Sequence, residues 1–346
     1  MKLHIAKRLT AFVLCVLLLP GVGLASAREV TLQEVYAENI GSKAIWTQGG
    51  AVTEEGILYY CYRDRTDARV WLYKRRLCDG ALLVQRETTE LLGHANDMTW
   101  NPVTRQILIP IWGNSTTGGG NPGVAVLDEN LNDLYTFNGP HALAGIAVYD
   151  AAQRIYVGTV GGSVISFFQD PNVEGGAWFA RSTYYRTPID THTHQGCSYY
   201  KGYVYDIESP DDDVGTNLFL AYKCNAPAVD AQGRITAVSL DSNYRSTAGT
   251  FNFCTMLEAP HSEWLGGLVE SEFLCHTSDG RVYYGAEEKS PLCRMHVYEV
   301  TNTLEPDLPA PSLPGFGEGW LGQMLEYLWR VFRWVLNWLN FALAQP

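Results

Sequence analysis

Basic residues are scarce in this 346-residue chain: 25 Lys and Arg stand against 37 Asp and Glu. An acidic surface of that size repels nucleic acid, which excludes nucleic acid as a partner. Metal signatures are missing as well. There is no His-Glu-x-x-His, no paired Cys-x-x-Cys and no EF-hand loop, so no metal class is written into a local spacing. No Gly-x-Ser-x-Gly elbow occurs, which removes that type of serine hydrolase. Gly118-Gly119-Gly120-Asn121-Pro122-Gly123 lacks the lysine and following helix of a phosphate loop and reads as a turn. Asp211-Asp212-Asp213, with Asp206 and Glu208 nearby, reads as a solvated acidic run between strands rather than a calcium site.

What is present begins with a leader. Lys2, Lys7 and Arg8 precede an apolar stretch from Leu9 to Leu19, and Ala25-Ser26-Ala27 offers a cleavage site. Residues 1–27 therefore read as a signal peptide, and the protein is expected to be secreted or extracytoplasmic. Its removal takes three of the 25 basic residues and no acidic one, leaving 22 against 37. Seven cysteines remain, an odd number that leaves at least one thiol free or bridging chains. Spacing alone does not assign disulfides, and buried thiols packing as small hydrophobes are an equal reading.

One pattern then recurs five times: a polar residue, a small residue, a short apolar run, a turn and a second strand. The polar slot falls at Gln48, Asn96, Ala144, Gln195 and Glu272, in steps of 48, 48, 51 and 77. A period near fifty residues belongs to propellers and solenoids. Each slot opens a hairpin, such as Thr47 to Tyr59 with its turn at Glu54-Glu55-Gly56, and two more β-rich segments complete a four-stranded blade. Residues 28–303 are thus expected to form an all-β, five-bladed β-propeller, with six blades the alternative. The long last step is assigned to an elaborated fourth blade with a hairpin at Asp230-Ala231-Gln232-Gly233. Glu29-Val30-Thr31-Leu32 is expected to close the ring beside the strand Met295 to Val300, since an open ring exposes sheet edges.

Residues 304–319, rich in Pro and Gly, read as a stiff linker. Residues 320–346 read as an amphipathic, aromatic-rich helix. Glu326, Arg330, Arg333, Asn337 and Asn340 form one polar stripe, and Trp320, Trp329, Trp334 and Trp338 fall among the apolar positions. Its charges disfavour spanning, so 320–343 is expected to lie on a membrane surface or to self-associate.

Inner strands of a propeller start around a central channel, so the slots should ring a funnel. Gln48, His94, Asn96, His141, Gln195, His261 and Glu270 are the candidate ligand-binding residues there. Imidazoles approach it ahead of several inner strands, and His192 and His194, two apart on an extended strand, are placed to share a divalent metal. Asp97, Glu272 and His194 are the candidates for proton transfer. Trp46, Trp100, Trp112 and Trp264 are expected at the rim.

Trp46-Thr47-Gln48-Gly49 with its hairpin, and Glu270-Ser271-Glu272 opening the last blade, resemble segments of the glutamine cyclotransferases, which are secreted five-bladed propellers. That resemblance implies that Asp97 or Glu272 moves the proton while neighbouring amides hold the substrate. In the second blade, where that family places a Gly-Glu-Gly carboxylate, this chain carries Asn96-Asp97. Three functions are compatible with the residues. One is binding of a small polar ligand such as a carbohydrate in the funnel; a second is a lyase, hydrolase or cyclotransferase in the same place; the third is a protein-interaction scaffold. Donors, acceptors and bases are supplied without a fixed nucleophile, so catalysis stays open.

Overall fold

The structure, a computed structural model, describes residues 28–304 apart from 41–44, 65–68, 89–91, 93–94, 112–122, 162, 190, 211–215, 260–267, 291–292 and 303. The leader, most of the linker and the C-terminal segment, together with His94, His261, Trp112 and Trp264, lie outside these residues.

Short β-rich runs separated by turns give five blade sheets and one two-stranded sheet, and among the described residues there is no α-helix. The chain starts with β1 (Arg28–Glu29) and β2 (Leu32–Asn39). Blade 1 follows as β3 (Ile45–Val52), β4 (Ile57–Asp64), β5 (Val70–Arg76) and β6 (Leu82–Glu87). Blade 2 comprises β7 (Thr99–Asn101), β8 (Gln106–Ile111), β9 (Gly123–Asp128) and β10 (Asp133–Asn138). Blade 3 comprises β11 (Gly145–Asp150), β12 (Ile155–Val160), β13 (Val164–Gln169) and β14 (Ser182–Tyr185).

Blade 4 begins with β15 (His192–Tyr200), β16 (Tyr203–Pro210) and β17 (Leu218–Lys223). The hairpin β18 (Ala228–Val229) and β19 (Ile235–Ala237) intervenes before its outer strand, β20 (Thr255–Glu258). Blade 5 is β21 (Leu268–His276), β22 (Val282–Ser290) and β23 (Arg294–Val300), completed by β2. The molecule is a five-bladed β-propeller.

Alternation along the strands explains why the blades stack. Successive residues of a strand point to opposite faces, so Ile107 and Ile109 of β8 enter the core shared with blade 1. Leu108 between them enters the core shared with blade 3. Five such cores exist, one at each seam of the ring, and the last joins blade 5 to blade 1 through Phe273, Val297, Tyr60 and Tyr62. Each fully buried Leu or Phe in them contributes roughly 1.5–3 kcal/mol.

The ring is closed by the N-terminal chain, but not with the segment the sequence suggests. It is β2 that pairs antiparallel with β23, from Leu32 opposite Val300 to Asn39 opposite Arg294. Glu29 instead runs parallel to β20 of blade 4, opposite Glu258, and Val30 is buried in the seam between blades 4 and 5. The closing strand, Leu-Gln-Glu-Val-Tyr-Ala-Glu-Asn, is outermost: none of its residues is fully buried, and its polar and apolar positions do not alternate. It therefore lacks the alternation that makes Glu29-Val30-Thr31-Leu32 look like a strand.

The long fourth repeat is an insertion folded back on blade 3. Phe251 N–H donates to the Tyr185 carbonyl at 2.8 Å and Thr187 N–H to the Phe251 carbonyl at 2.9 Å, so the insertion grips β14 at its end. Ile235 N–H donates to Gln153 Oε1 at 2.7 Å on the same blade. The seven cysteines of residues 28–304 are free thiols, most of them buried in the seam cores.

Candidate functional site

The polar slots do converge at the start of the inner strands, and β-bulges help to aim them. Gln195 and Glu272 are each the extra residue of a bulge on β15 and β21, a device that turns one side chain out of the ladder, and on β3 the extra residue is Gly49, next to Gln48. Gln48, Asn96, Gln195 and Glu272 are all buried. Gln195 Nε2 donates to Glu270 Oε1 at 2.6 Å, linking blades 4 and 5. Gln48 Nε2 donates to the Thr47 carbonyl at 2.6 Å, and Thr47 N–H donates to Glu287 Oε2 at 2.7 Å. Thr47 Oγ1, Gln48 Oε1 and the Nε2 of half-buried His141 are buried without a hydrogen-bond partner among the described residues.

One step deeper, Asp97 closes the axis. It is wholly buried; Oδ1 accepts from Met98 N–H at 2.8 Å, and Oδ2 accepts from Ile146 N–H at 2.8 Å and Cys197 N–H at 3.0 Å. One carboxyl thus ties blades 2, 3 and 4 together. Burial pushes it well above the usual carboxylate range, against the pull of those three N–H groups. The packing here is so close that a Cβ on Gly49 would come within 2.2 Å of Asp97 Cα, and one on Gly196 within 3.0 Å of its Cγ. Asp97 therefore forms a neck, with both oxygens engaged and no face open to a substrate.

Beside the neck, between blades 3 and 4, lies a charged group that the sequence does not announce. His194 Nδ1 lies 2.6 Å from Asp206 Oδ1, and its Nε2 is 2.7 Å from Thr159 Oγ1. Arg186 Nη2 lies 2.7 Å from Asp206 Oδ2 and also pairs with Glu208. All four side chains are buried. Burial, the neighbouring Asp206 charge and a hydrogen bond to it raise Glu208 to about 8. Arg186 and His194 hold Asp206 below the ordinary range despite its burial. The pair thus carries one proton and one negative charge near neutrality.

His194, Asp206 and Glu208 could offer a metal one ligand atom each within 4.8 Å of one another. Arg186 already places a positive charge at both carboxylates, while His194 Nδ1 and both Asp206 oxygens make close ionic contacts without well-formed hydrogen bonds among the described residues. His192 is not part of this group. Its ring nitrogens reach Thr191 Oγ1 and the Thr216 carbonyl, each at 3.0 Å, so the structure brings His194 together with Asp206 and not with His192.

The reading of Asp206 and Glu208 as solvated also gives way: they are 0% and 1% exposed. Their spacing was the available signal, since two carboxylates two apart on the run Tyr-Val-Tyr-Asp-Ile-Glu share one strand face. A cavity lies at the opposite end of the axis, where the inner strands finish.

No family model and no curated protein matches the chain. Solved structures do. It is similar to a protein of unknown function from Bacteroides caccae, at 12% identity over 63% of this chain and 73% of that one, with a TM-score of 0.36. It is also similar to the C-terminal WD40 domain of Sif2, at 9% identity over 80% and 99% of the two chains, TM-score 0.36. A third is BamB from Moraxella catarrhalis, at 10% identity over 80% and 100%, TM-score 0.32. These likenesses concern fold alone, and the resemblance to glutamine cyclotransferases gains no support from them.

Proposed function

We propose that the protein is an exported propeller that binds a small polar ligand of carbohydrate type at the mouth of its axis, where the inner strands begin. The observation that carries this reading is the set of orphaned polar atoms there, Thr47 Oγ1, Gln48 Oε1 and His141 Nε2. Buried polar atoms are almost always satisfied, so a partner is expected to reach them. A polyhydroxyl ligand brings a donor and two acceptors at every hydroxyl and suits a mixed set of this kind. Trp46, half-buried on β3 beside Thr47, adds an aromatic face of the sort sugars pack against.

Export rests on the leader at residues 1–27, and attachment to a membrane surface, or self-association, on the helix pattern of 320–343. Isothermal titration of the mature chain, residues 28–346, against a panel of mono- and oligosaccharides tests the site. Gln48→Ala and Gln195→Ala should each weaken binding about tenfold, the effect of unpairing one buried hydrogen bond. A folded protein that binds no sugar, or that binds one regardless of both substitutions, would overturn the proposal.

A scaffold role has its own support on the rim. Leu82, Leu83 and Leu134 are exposed on the adjacent outer strands β6 and β10, which Arg86 and Asp133 tie together.

A further inference from the structure

The far end of the axis, where the inner strands finish, is also the end at which the chain leaves the propeller. β23 reaches that end at Val300, Thr301 N–H donates to the Thr31 carbonyl at 2.9 Å, and the Tyr205 hydroxyl, near the start of β16, donates to the Leu304 carbonyl at 3.1 Å. Segment 320–343, with its aromatic amphipathic pattern, is tethered to this face through residues 305–319, which span at most about 50 Å. The mouth is at the other end.

The far end also carries most of the exposed apolar surface. Among the described residues six large hydrophobic side chains are exposed, and four of them, Leu82, Leu83, Val103 and Leu134, belong to the far ends of blades 1 and 2. Leu77 N–H donates to the Gly56 carbonyl at 2.9 Å, which sets the start of β6 beside the turn that follows β3. Arg105, two residues after Val103, pairs with Glu55 of that turn and with Glu129 in the turn before β10. Leu83 and Leu134 hold the same place, second in the outer strands of adjacent blades, and each is the extra residue of a β-bulge. A bulge turns a side chain out of the ladder. Blade 3 has Thr183 at that place and no bulge, so the projecting leucines are particular to blades 1 and 2. The charges around them are matched within the protein: Arg76 with Asp79 at 2.7 Å, Arg86 with Asp133, and Arg105 with both glutamates.

We propose that the far ends of blades 1 and 2 are a membrane-facing surface, in which Leu82, Leu83 and Leu134 enter the headgroup region of a lipid bilayer and the mouth is held pointing away from it. The proposal rests on the reading of 320–343 as a segment that lies on a membrane surface. Each half-exposed leucine gains by leaving water, and no charge has to be stripped of its partner on the way in. Three leucines alone hold weakly. Tethered to a segment already on the bilayer, they act at high local concentration and fix the orientation of the ring.

Nitroxide labels on the mature full-length chain test that orientation, in a Cys78→Ser background because Cys78 is the exposed thiol among the described residues. On addition of phosphatidylcholine vesicles, a label at Leu134→Cys should become accessible to oxygen and shielded from a water-soluble nickel chelate. A label at Asn138→Cys, exposed at the mouth end of the same strand and about 13 Å away at ~3.3 Å per residue, should stay in water. Leu83→Ser combined with Leu134→Ser should weaken vesicle binding about tenfold with melting unchanged. Vesicle binding that leaves the Leu134 label in water would overturn the inference while the anchoring role of 320–343 stands. Shielding of both labels would overturn it as well, since the ring would then lie on its side. So would a Leu134 label that is immobilised without lipid, the sign of a second copy or another protein on these leucines. A folded chain that binds no vesicles overturns the surface and the anchor together.

Discussion

At Arg186 a single guanidinium holds two carboxylates where water does not reach. Removing one partner of a buried ion group leaves charge uncompensated, so Arg186→Met should lower the free energy of unfolding by about 3–5 kcal/mol in urea titrations. The same logic bears on metal. Wild-type melting should be indifferent to chelator, whereas Arg186→Ala opens the His194, Asp206 and Glu208 ligands, and Zn²⁺ should then raise its Tm. Glu208 sets a pH dependence. Its folded-state value, near 8, lies above the ordinary 4.5, so between those values the folded state holds a proton that the unfolded chain has released. Stability from this group is therefore full below pH 4.5 and is lost as pH rises towards 8, by up to about 1.4 kcal/mol per pH unit. Glu208→Gln stays neutral and should flatten that slope in denaturation curves recorded at pH 5, 6.5 and 8. Gln48, Asn96, Gln195 and Glu272 were legible because each occupies the same place in a repeat. Arg186 was not, because what brings it to Asp206 is the grip of Phe251 on either side of it, a contact between residues sixty-five positions apart.

Among the elements, the four-stranded blades were legible for a related reason. Turn residues and alternating apolar runs fix strands locally, and their recurrence reveals the ring. The closing strand was not, since an outer strand buries little and its polar and apolar residues do not alternate. Its pairing is specified by the open edge of β23, which no local stretch of sequence contains. Deleting residues 28–39 should expose that edge. The truncated chain is expected to melt at lower temperature and to elute as larger species in size-exclusion chromatography, as sheet edges recruit one another. A truncated chain that stays monomeric with an unchanged Tm would mean that three strands suffice for blade 5. The bulges at Gly49, Gln195 and Glu272 were invisible for another reason, because an extra residue in one strand is defined only by what lies opposite it.

For the whole molecule, Asp97 stands between two ends of the axis, with amides and carboxylates at one and a cavity of mixed polar, aromatic and apolar lining at the other. Asp97→Asn would replace an acceptor with a donor facing a backbone N–H and should cost about 1–3 kcal/mol of stability. The same change should loosen blades 2, 3 and 4 together, read as faster hydrogen exchange at Met98, Ile146 and Cys197. The residues proposed as an anchor predict a separate outcome: deletion after Pro314 should release the protein from the membrane fraction without altering its melting. The closing strand has a consequence in time as well as in space. His296 of β23 meets Glu34 of β2 at 2.7 Å, 262 positions away along the chain. The earliest part of the propeller to be synthesised has to wait until nearly all of it has been made. No emerging intermediate can be a sealed ring, and maturation ends with one slow, long-range docking event.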